Sequence, residues 1–167
     1  MFTIIEEEGA PLVLKETFLA WVEGSVGSNQ YRNVYVRKDM YRTRHDVIDD
    51  GDLACALYVS SMLHSFNLIN GGIHTTVSLT EKDMVESGWV RVPKPVSSCV
   101  VVWDEKIGDD GTSHRHIGIC LNRKMAVSNC PVSKSPQKHG IHDLLDHEGR
   151  RRKVLTYYAH RELVNRF

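Results

Sequence analysis

The stretch GDLACALYVSSML at 51–63 constrains the fold more than any other part of the chain. Apolar residues recur there at steps of three and four from Cys55 onward, and others such as Leu57 widen the apolar surface beyond that stripe. A helix of this kind is stable only where other elements cover it on several sides. The pattern predicts a central, mostly buried helix over about 53–66, with Asp52 as its N-cap and Cys55 in its first turn.

Two shorter helical patterns accompany this central helix. The segment 12–22 has apolar residues at helical spacing, and Gly24 ends the pattern. Beyond the central helix, the segment 80–87 predicts a short helix that Gly88 closes. The helices are therefore expected in the first part of the chain.

Strand signals dominate the remainder. The run CVVVW is mostly β-branched and predicts a central strand, and the segment 122–124 predicts a tight hairpin between the two strands that follow. The predicted strands are 99–103, 116–121, 125–129 and 154–159, with a turn at 108–111. Helices followed by an antiparallel sheet predict an α+β fold, and 167 residues fit one domain that spans 1–167.

The four cysteines are expected to be reduced thiols. A domain of this length with 41% hydrophobic residues builds a core without disulfide staples. Cys99 and Cys120 lie inside apolar strands and are predicted to be core residues. Cys130, at the end of a predicted strand, is expected to be partly exposed, which leaves Cys55 as the candidate for chemistry.

Charge is distributed unevenly along the chain. Residues 112–167 hold 11 Lys and Arg against 4 Asp and Glu, so this part carries +7 and the first 111 residues carry −7. The asymmetry is compatible with binding of an acidic polymer, but two solvated faces of one globule are the favoured explanation. The basic run 150–153 beside a predicted strand is typical of a solvated edge, so no nucleic-acid partner is expected.

The sequence also bears on membranes and export. It has no run of about 18 apolar residues. Its start, MFTIIEEEGAP, has three glutamates where a secretion signal would have basic residues before an apolar stretch. We expect a soluble monomer with no membrane span and no export signal, cytoplasmic unless another route exports it.

Five short motifs follow one another in a fixed order within residues 12–130. They are Cys55 at the start of the buried helix, the Gly-Trp segment 88–93, CVVVW at 99–103, HIGI at 116–119, and the hairpin strand with Val-Ser-Asn at 127–129. In this order they resemble the NlpC-type and CHAP-type cysteine peptidases, which are papain-like amidohydrolases of bacterial cell walls. The resemblance implies a papain-like fold, in which the helix that carries the Cys packs on the antiparallel sheet.

The resemblance also implies roles for three residues. Cys55 would be the nucleophile, His116 the base because it directly precedes the apolar-Gly-apolar run, and Asn129 the group that orients His116. His114 is the alternative base, since it lies two residues away on the same face of the strand. Ser128 or a backbone carbonyl is the alternative third group, and many family members have a His at that position.

The start of a helix gives Cys55 a chemical reason to be reactive. A thiol has a pKa of about 8.5, which a helix N-terminus and a neighbouring imidazolium lower by several units. With Asp52 as the N-cap, Cys55 occupies the third helical position, where this effect applies. We therefore expect an activated thiol, which iodoacetamide modifies at about pH 6.5. The alternative is a small core residue, since unpaired Cys is among the most buried residue types.

Two groups of residues have metal-ligating side chains without a persuasive spacing. One consists of His114, His116 and Cys120, and the other of His139, His142, Asp143, Asp146 and His147. Zinc sites pair their ligands at tighter recurring spacings, and Gly140 weakens the helix that the second group would need. The sequence therefore predicts no metal site and no cofactor.

The residues and the resemblance together predict a cysteine-dependent amide-bond hydrolase that acts on peptidoglycan peptides as an endopeptidase or amidase. Two alternatives come from other functional classes. One is a papain-like acyltransferase or deamidating effector that uses the same thiol, and the other is a catalytically inactive binding domain of the same fold. The hydrolase and the effector depend on Cys55, whereas the binding domain does not.

Overall fold

The computed structural model describes residues 13–37, 43–107, 111–146 and 149–164. These residues form three α-helices and eight β-strands. The helices are α1 (Leu14–Gly24), α2 (Cys55–Ser65) and α3 (Val77–Glu86). The strands are β1 (Tyr35–Arg37), β2 (Arg44–Asp46), β3 (Val90–Val92), β4 (Val100–Ile107), β5 (Ser113–Cys120), β6 (Met125–Cys130), β7 (Ser135–Gly140) and β8 (Val154–Ala159).

Six of the strands form one antiparallel sheet in the order β3-β8-β4-β5-β6-β7, and β1 pairs with β2 separately. The first four residues of β4 and the last five of β5 are buried, because these strands have neighbours on both sides. The run CVVVW therefore lies at the centre of the sheet, as its composition predicts. Three helices with antiparallel sheets confirm the α+β prediction.

The sheet separates two apolar cores, because side chains alternate between its faces. Val102 and Ile117 belong to the larger core, to which α2 contributes most of its residues. Trp103 and Cys120 belong to the smaller core on the other face. Most of α2 is buried, which confirms that it is the central helix of the domain.

The start of α2 differs from the prediction. The helix begins at Cys55, its N-cap is Ala54, and no side chain caps it. Asp52 as the N-cap was therefore wrong. Asp49, Asp50 and Gly51 all have positive φ angles, so the chain turns sharply here and enters the helix three residues beyond Asp52.

Other element boundaries differ for local reasons. The hydroxyl of Thr76 accepts a hydrogen bond from the Leu79 amide and caps α3, which begins three residues before the predicted start at 80. Strand β7 was not predicted, because its sequence SPQKHG lacks apolar alternation and contains a proline. The predicted strand 154–159 matches β8, whereas residues 108–110 of the predicted turn lie outside the described residues.

In the part of the chain that the structure describes, no helix has the length and apolar character needed to span a lipid bilayer. The helices have 11, 11 and 10 residues, whereas a membrane span needs about 20. The apolar surface of α2 is covered by the sheet and its neighbours, as the larger core shows.

Candidate active site

Strands β5 and β6 pair over a short length only, and the loop that leads into α2 is attached to the sheet where they separate. Although β5 has eight residues and β6 has six, their ladder has two register pairs, Ile119 with Val127 and Cys120 with Ala126. Beyond this ladder, the side-chain amide of Asn129 in β6 donates a hydrogen bond of 2.8 Å to the carbonyl oxygen of Gly51. The loop that leads into α2 is thus attached to the sheet where β5 and β6 cease to pair.

The sulfur of Cys55 lies beside the middle of β5. The backbone N–H of Ile117 is directed at this sulfur, as are the N–H groups of Cys55 itself and of Ala56. Burial nevertheless raises the pKa of Cys55, and the three N–H groups and the charge of Arg152 only partly oppose that effect. The expectation of a thiolate stabilised by the helix is therefore corrected: desolvation outweighs the helix N-terminus, and the resting group is a thiol.

His116, the residue next to Ile117, is 8% exposed and takes part in a chain of hydrogen bonds across three strands. Its Nε2 atom lies 2.9 Å from Oγ of Ser128 in β6. The same hydroxyl lies 2.7 Å from Nε2 of His139 in β7. Nδ1 of His139 lies 2.9 Å from the carbonyl oxygen of Gly140.

The order of donors in this chain follows from its last member. A carbonyl oxygen can only accept, so Nδ1 of His139 donates to Gly140. Neutral His139 then accepts the Ser128 hydroxyl hydrogen at Nε2, and the Ser128 oxygen accepts from Nε2–H of His116. Neutral His116 therefore keeps its lone pair on Nδ1, the nitrogen that can act as a base.

Both imidazoles are held in their neutral form. Burial lowers the pKa of His116 well below its ordinary value, and repulsion by Arg152, by His139 when it is protonated, and by Lys106 adds to this effect. Burial also lowers the pKa of His139, although its bond to Gly140 opposes the shift. Together with the raised pKa of Cys55, these shifts give a neutral thiol and a neutral base at pH 7.

Asn129 does not have the predicted contact with His116. Its Nδ2 donates to Gly51, and its Oδ1 is buried without a hydrogen-bond partner. Ser128, the alternative third group, bonds the imidazole instead. The reason is side-chain alternation: Ser128 is on the face of β6 that His116 shares, and Asn129 points to the opposite face, toward the loop before α2.

A cleft of about 360 Å³ opens at this place. Cys55 and His116 both line it, and so does the alternative base His114, whose Nε2 contacts the hydroxyl of Thr112. The other residues that line the cleft are Val47, Asp52, Leu53, Ala56, Thr75, Thr76, Val77, Ser78, Glu105, Lys106, Ser113, Arg115, Pro131 and Arg152. Within the described residues no hydrogen bond joins Cys55 to His116. Cys55 packs against the larger core, whereas the His116 ring lies against Trp103 of the smaller core, with 5.6 Å between the ring centroids. What the two side chains share is the lining of the cleft.

Asp46 holds the loop that precedes Cys55. Its carboxylate accepts hydrogen bonds from the amides of Val34, Ile48 and Asp50 and from the side chain of Asn33, at 2.7 to 3.3 Å. Burial works to raise the pKa of Asp46, but these hydrogen bonds outweigh it and hold the pKa at about 2. The carboxylate therefore fixes the turn through Asp50 that sets the start of α2.

The other thiols and the metal-ligating residues occupy different surroundings. Cys99 and Cys120 are fully buried in the smaller core, and Cys130 is partly exposed, as predicted. Across residues 13–37, 43–107, 111–146 and 149–164, no group of three or more His, Cys, Asp or Glu side chains has an arrangement that could hold a metal ion. His147, a member of one weighed metal group, lies outside these ranges.

Three residues of this region were not recognised in the sequence as parts of a site. His139 was considered only as a metal ligand, and the unpredicted strand β7 is what brings it to Ser128. Arg152 belongs to a basic run that was interpreted as a solvated edge, yet its side chain is buried in the cleft. Asp46 carried no signal beyond its place before a loop.

Comparisons with protein-family models, with curated proteins and with solved structures give no match to this chain. The chemistry of the cleft must therefore be inferred from its own residues. What these residues provide is a thiol, a neutral imidazole with a defined basic nitrogen, and backbone N–H groups directed at the sulfur.

Proposed function

We propose that this chain is a papain-like cysteine hydrolase that cleaves amide bonds. Cys55 attacks the carbonyl carbon, His116 transfers the proton, and Ser128 orients His116 in the role first assigned to Asn129. No metal or cofactor takes part in these steps. The substrate class rests on the motif resemblance, which favours peptidoglycan peptides.

One observation carries this proposal. The backbone N–H of Ile117 is directed at the sulfur of Cys55, and His116 lines the same cleft as this sulfur. A small core cysteine needs neither a cleft nor a base whose tautomer is fixed by Ser128. The nucleophile-base-orienter arrangement is typical of cysteine and serine acyl-transfer enzymes.

The neutral resting state defines the order of proton transfers. As the Cys55 sulfur bonds the carbonyl carbon, its proton passes to Nδ1 of His116. The imidazolium then gives this proton to the amine nitrogen as the C–N bond breaks, which leaves a thioester. Water, deprotonated by His116, attacks the thioester, and the returning proton restores the thiol and releases the acid.

Backbone groups would stabilise the oxyanion. The N–H groups of Cys55 and Ala56 belong to the first turn of α2, where they lack acceptors within the helix. Their position beside the sulfur suits a negatively charged oxygen on the attacked carbon. The helix N-terminus thus contributes to the transition state, while the resting thiol stays protonated.

A catalytically inactive binding domain is the second candidate. The raised pKa of Cys55 favours it, because a protonated thiol is a weak nucleophile unless a base removes its proton. The cleft would then bind a peptide without cleaving it. The two candidates differ in one property, since only the hydrolase requires the thiol of Cys55.

Digestion of purified peptidoglycan tests the proposal. The soluble fragments are analysed by mass spectrometry, and new amino groups and new reducing ends are counted. Amino groups without reducing ends are expected for the wild-type chain and for Cys130→Ser, a matched control in which a thiol outside the cleft is replaced. If no fragments appear, but the intact protein sediments with the peptidoglycan, the binding domain is supported and the hydrolase is not.

A further inference from the structure

Arg152 is a buried cation at the wall of the cleft. Arg152 is 9% exposed and lines the cleft together with Cys55 and His116. Both hydrogen bonds of its guanidinium to the protein come from Nη1, which donates to the carbonyl oxygens of Asp104 at 2.6 Å and His114 at 3.4 Å. These bonds hold the side chain in place and use only one of its three nitrogens.

The other two nitrogens have no protein partner among the described residues. Nε and Nη2 of Arg152 make no hydrogen bond there, and they are not sealed from solvent. No described carboxylate lies within 4 Å of the guanidinium. Nearby carboxylates are engaged elsewhere: Asp104 accepts from the Lys153 amide at 3.0 Å, and Asp146 pairs with Arg150 at 3.0 Å.

Burying a guanidinium costs free energy unless an anion pairs with it. Burial disfavours its charge and lowers the pKa of Arg152. The charge that Cys55 would carry as a thiolate, and the charges of Asp104 and Asp146, only partly offset this effect. By contrast, Arg115, the other arginine of the cleft, forms an ion pair with Glu81 and a hydrogen bond to Ser78. The cleft therefore has one arginine that is neutralised and one whose donors remain available.

We propose that Arg152 binds a carboxylate of the substrate next to the amide bond that Cys55 attacks. A planar guanidinium with two available nitrogens matches the two oxygens of a carboxylate. The other charged residues of the lining are two acids, Asp52 and Glu105, and two cations, Lys106 and Arg115. Their charges offset one another, so direct contact with Arg152 provides the preference for a carboxylate. The proposal rests on the proposed function, because it places the carboxylate beside the reacting thiol.

Two alkylating reagents of nearly equal size test this proposal without a natural substrate. Iodoacetate carries a carboxylate and iodoacetamide carries a neutral amide, and both form a thioether with Cys55 as iodide leaves. The rate ratio of iodoacetate to iodoacetamide at Cys55 is divided by the same ratio at Cys130, measured in the same sample by peptide mass spectrometry. This quotient removes the intrinsic difference between the reagents and any effect of thiolate fraction.

The quotient is expected to be about 10 in the wild-type protein, because one charge-assisted contact to the carboxylate should raise the rate by about this factor. It should fall close to 1 in Arg152→Gln and stay near 10 in Arg151→Gln, which removes a charge from the exposed neighbouring side chain. A wild-type quotient near 1, or an equal quotient in Arg152→Gln and the wild type, would overturn the proposal. Arg152→Lys keeps the charge without the planar fork and should give an intermediate quotient.

A titration of the wild-type protein covers the case in which Arg152→Gln does not fold or Cys55 reacts with neither reagent. Propionate should shift the Nε–H resonance of Arg152 in a nitrogen-proton NMR spectrum, whereas propionamide should not. Equal responses, or no response to propionate, would overturn the carboxylate site. An inert Cys55 together with a propionate shift would instead count against the proposed hydrolase and leave the Arg152 site supported.

Discussion

The Nε2 atom of His116 lies 2.9 Å from the hydroxyl oxygen of Ser128, and this bond determines which nitrogen of the imidazole is basic. Because Ser128 in turn donates to His139, its oxygen can only accept from His116. Nδ1 of His116 is thereby left with the lone pair. A hydrogen-bond chain across three strands of one sheet thus fixes the tautomer of the proposed base.

Ser128→Ala should lower kcat by at least about 10-fold with little change in KM, because the substrate does not contact this hydroxyl and the tautomer of His116 is no longer fixed. Asn129→Ala is the matched comparison on the adjacent position. It removes the bond to Gly51 and should reduce stability by about 1 kcal/mol, with a smaller effect on kcat. Steady-state kinetics and urea unfolding measure both effects. A larger loss of kcat in Asn129→Ala would return the orienting role to that residue.

The pH dependence of hydrolysis should reflect a base with a lowered pKa. Since burial lowers the pKa of His116 below its ordinary value of about 6.5, the acidic decline of kcat/KM should lie below pH 6.5. The free energy of unfolding should also decrease toward acidic pH. The unfolded chain binds a proton on this histidine more readily than the folded chain, so stability is lost as pH falls below about 6.5. An acidic decline centred above pH 7 would contradict the assignment.

Alkylation of Cys55 should now be slow at pH 6.5 and rise steeply in the alkaline range. The cause is burial, which raises the pKa of this thiol despite its position at the helix start. Cys99 and Cys120 should react more slowly still, because they are fully buried. Peptide mass spectrometry after timed treatment with iodoacetamide gives the rates. A fast reaction of Cys55 at pH 6.5 would show a thiolate and refute the neutral resting pair.

The loop before Cys55 should depend on the carboxylate of Asp46. Asp46→Asn weakens several of its hydrogen bonds and should reduce stability by about 1–3 kcal/mol at pH 7. With a folded pKa of about 2 against about 3.9 when unfolded, the contribution of this carboxylate is present above pH 4 and is lost as pH falls through about 2. Asp49→Asn, at an exposed position of the same loop, is the control and should have little effect. Equal unfolding midpoints for the two variants would exclude the role of Asp46.

Gly118 allows strand β6 and the Trp103 ring to approach β5 closely. A β-carbon at this position would lie 2.8 Å from the carbonyl oxygen of Val127, 2.9 Å from Cβ of Ser128 and 3.1 Å from the Trp103 ring. Gly118→Ala should therefore destabilise the fold by about 2 kcal/mol or more. Gly24→Ala, where nothing lies within 4 Å, should be close to neutral. Thermal unfolding compares them, and similar midpoints would contradict the packing described.

Hydrophobic pattern was sufficient to predict the architecture near the site. The apolar surface of 53–66 and the β-branched run before Trp103 both predict burial. Most of α2 and the first half of β4 are indeed buried. The exact start of α2 was not predictable, since it depends on the turn at Asp49 and Asp50 and not on a capping side chain. Strand β7 was missed because pairing with β6 stabilises it, without apolar alternation of its own.

Ser128, and not Asn129, contacts His116 for a simple physical reason. In the hairpin of β5 and β6, Ile119 pairs with Val127 and Cys120 with Ala126, so residues with the same parity share a face. Ser128 therefore shares the face of His116, and this could have been derived from the hairpin turn alone. Arg152 could not have been found in this way, because only the tertiary fold shows that one arginine of the basic run is buried.

Release of amino groups from purified peptidoglycan by the wild type, Cys55→Ala, His116→Ala and the double variant tests the central claim most directly. Each single variant should abolish release, and the double variant should be hardly worse, because the two residues act as one catalytic unit. Urea unfolding should show that Cys55→Ala stays folded, with a loss of about 1 kcal/mol. If the wild type releases amino groups and both single variants keep the full rate, Cys55 is a core residue and the proposed mechanism is wrong.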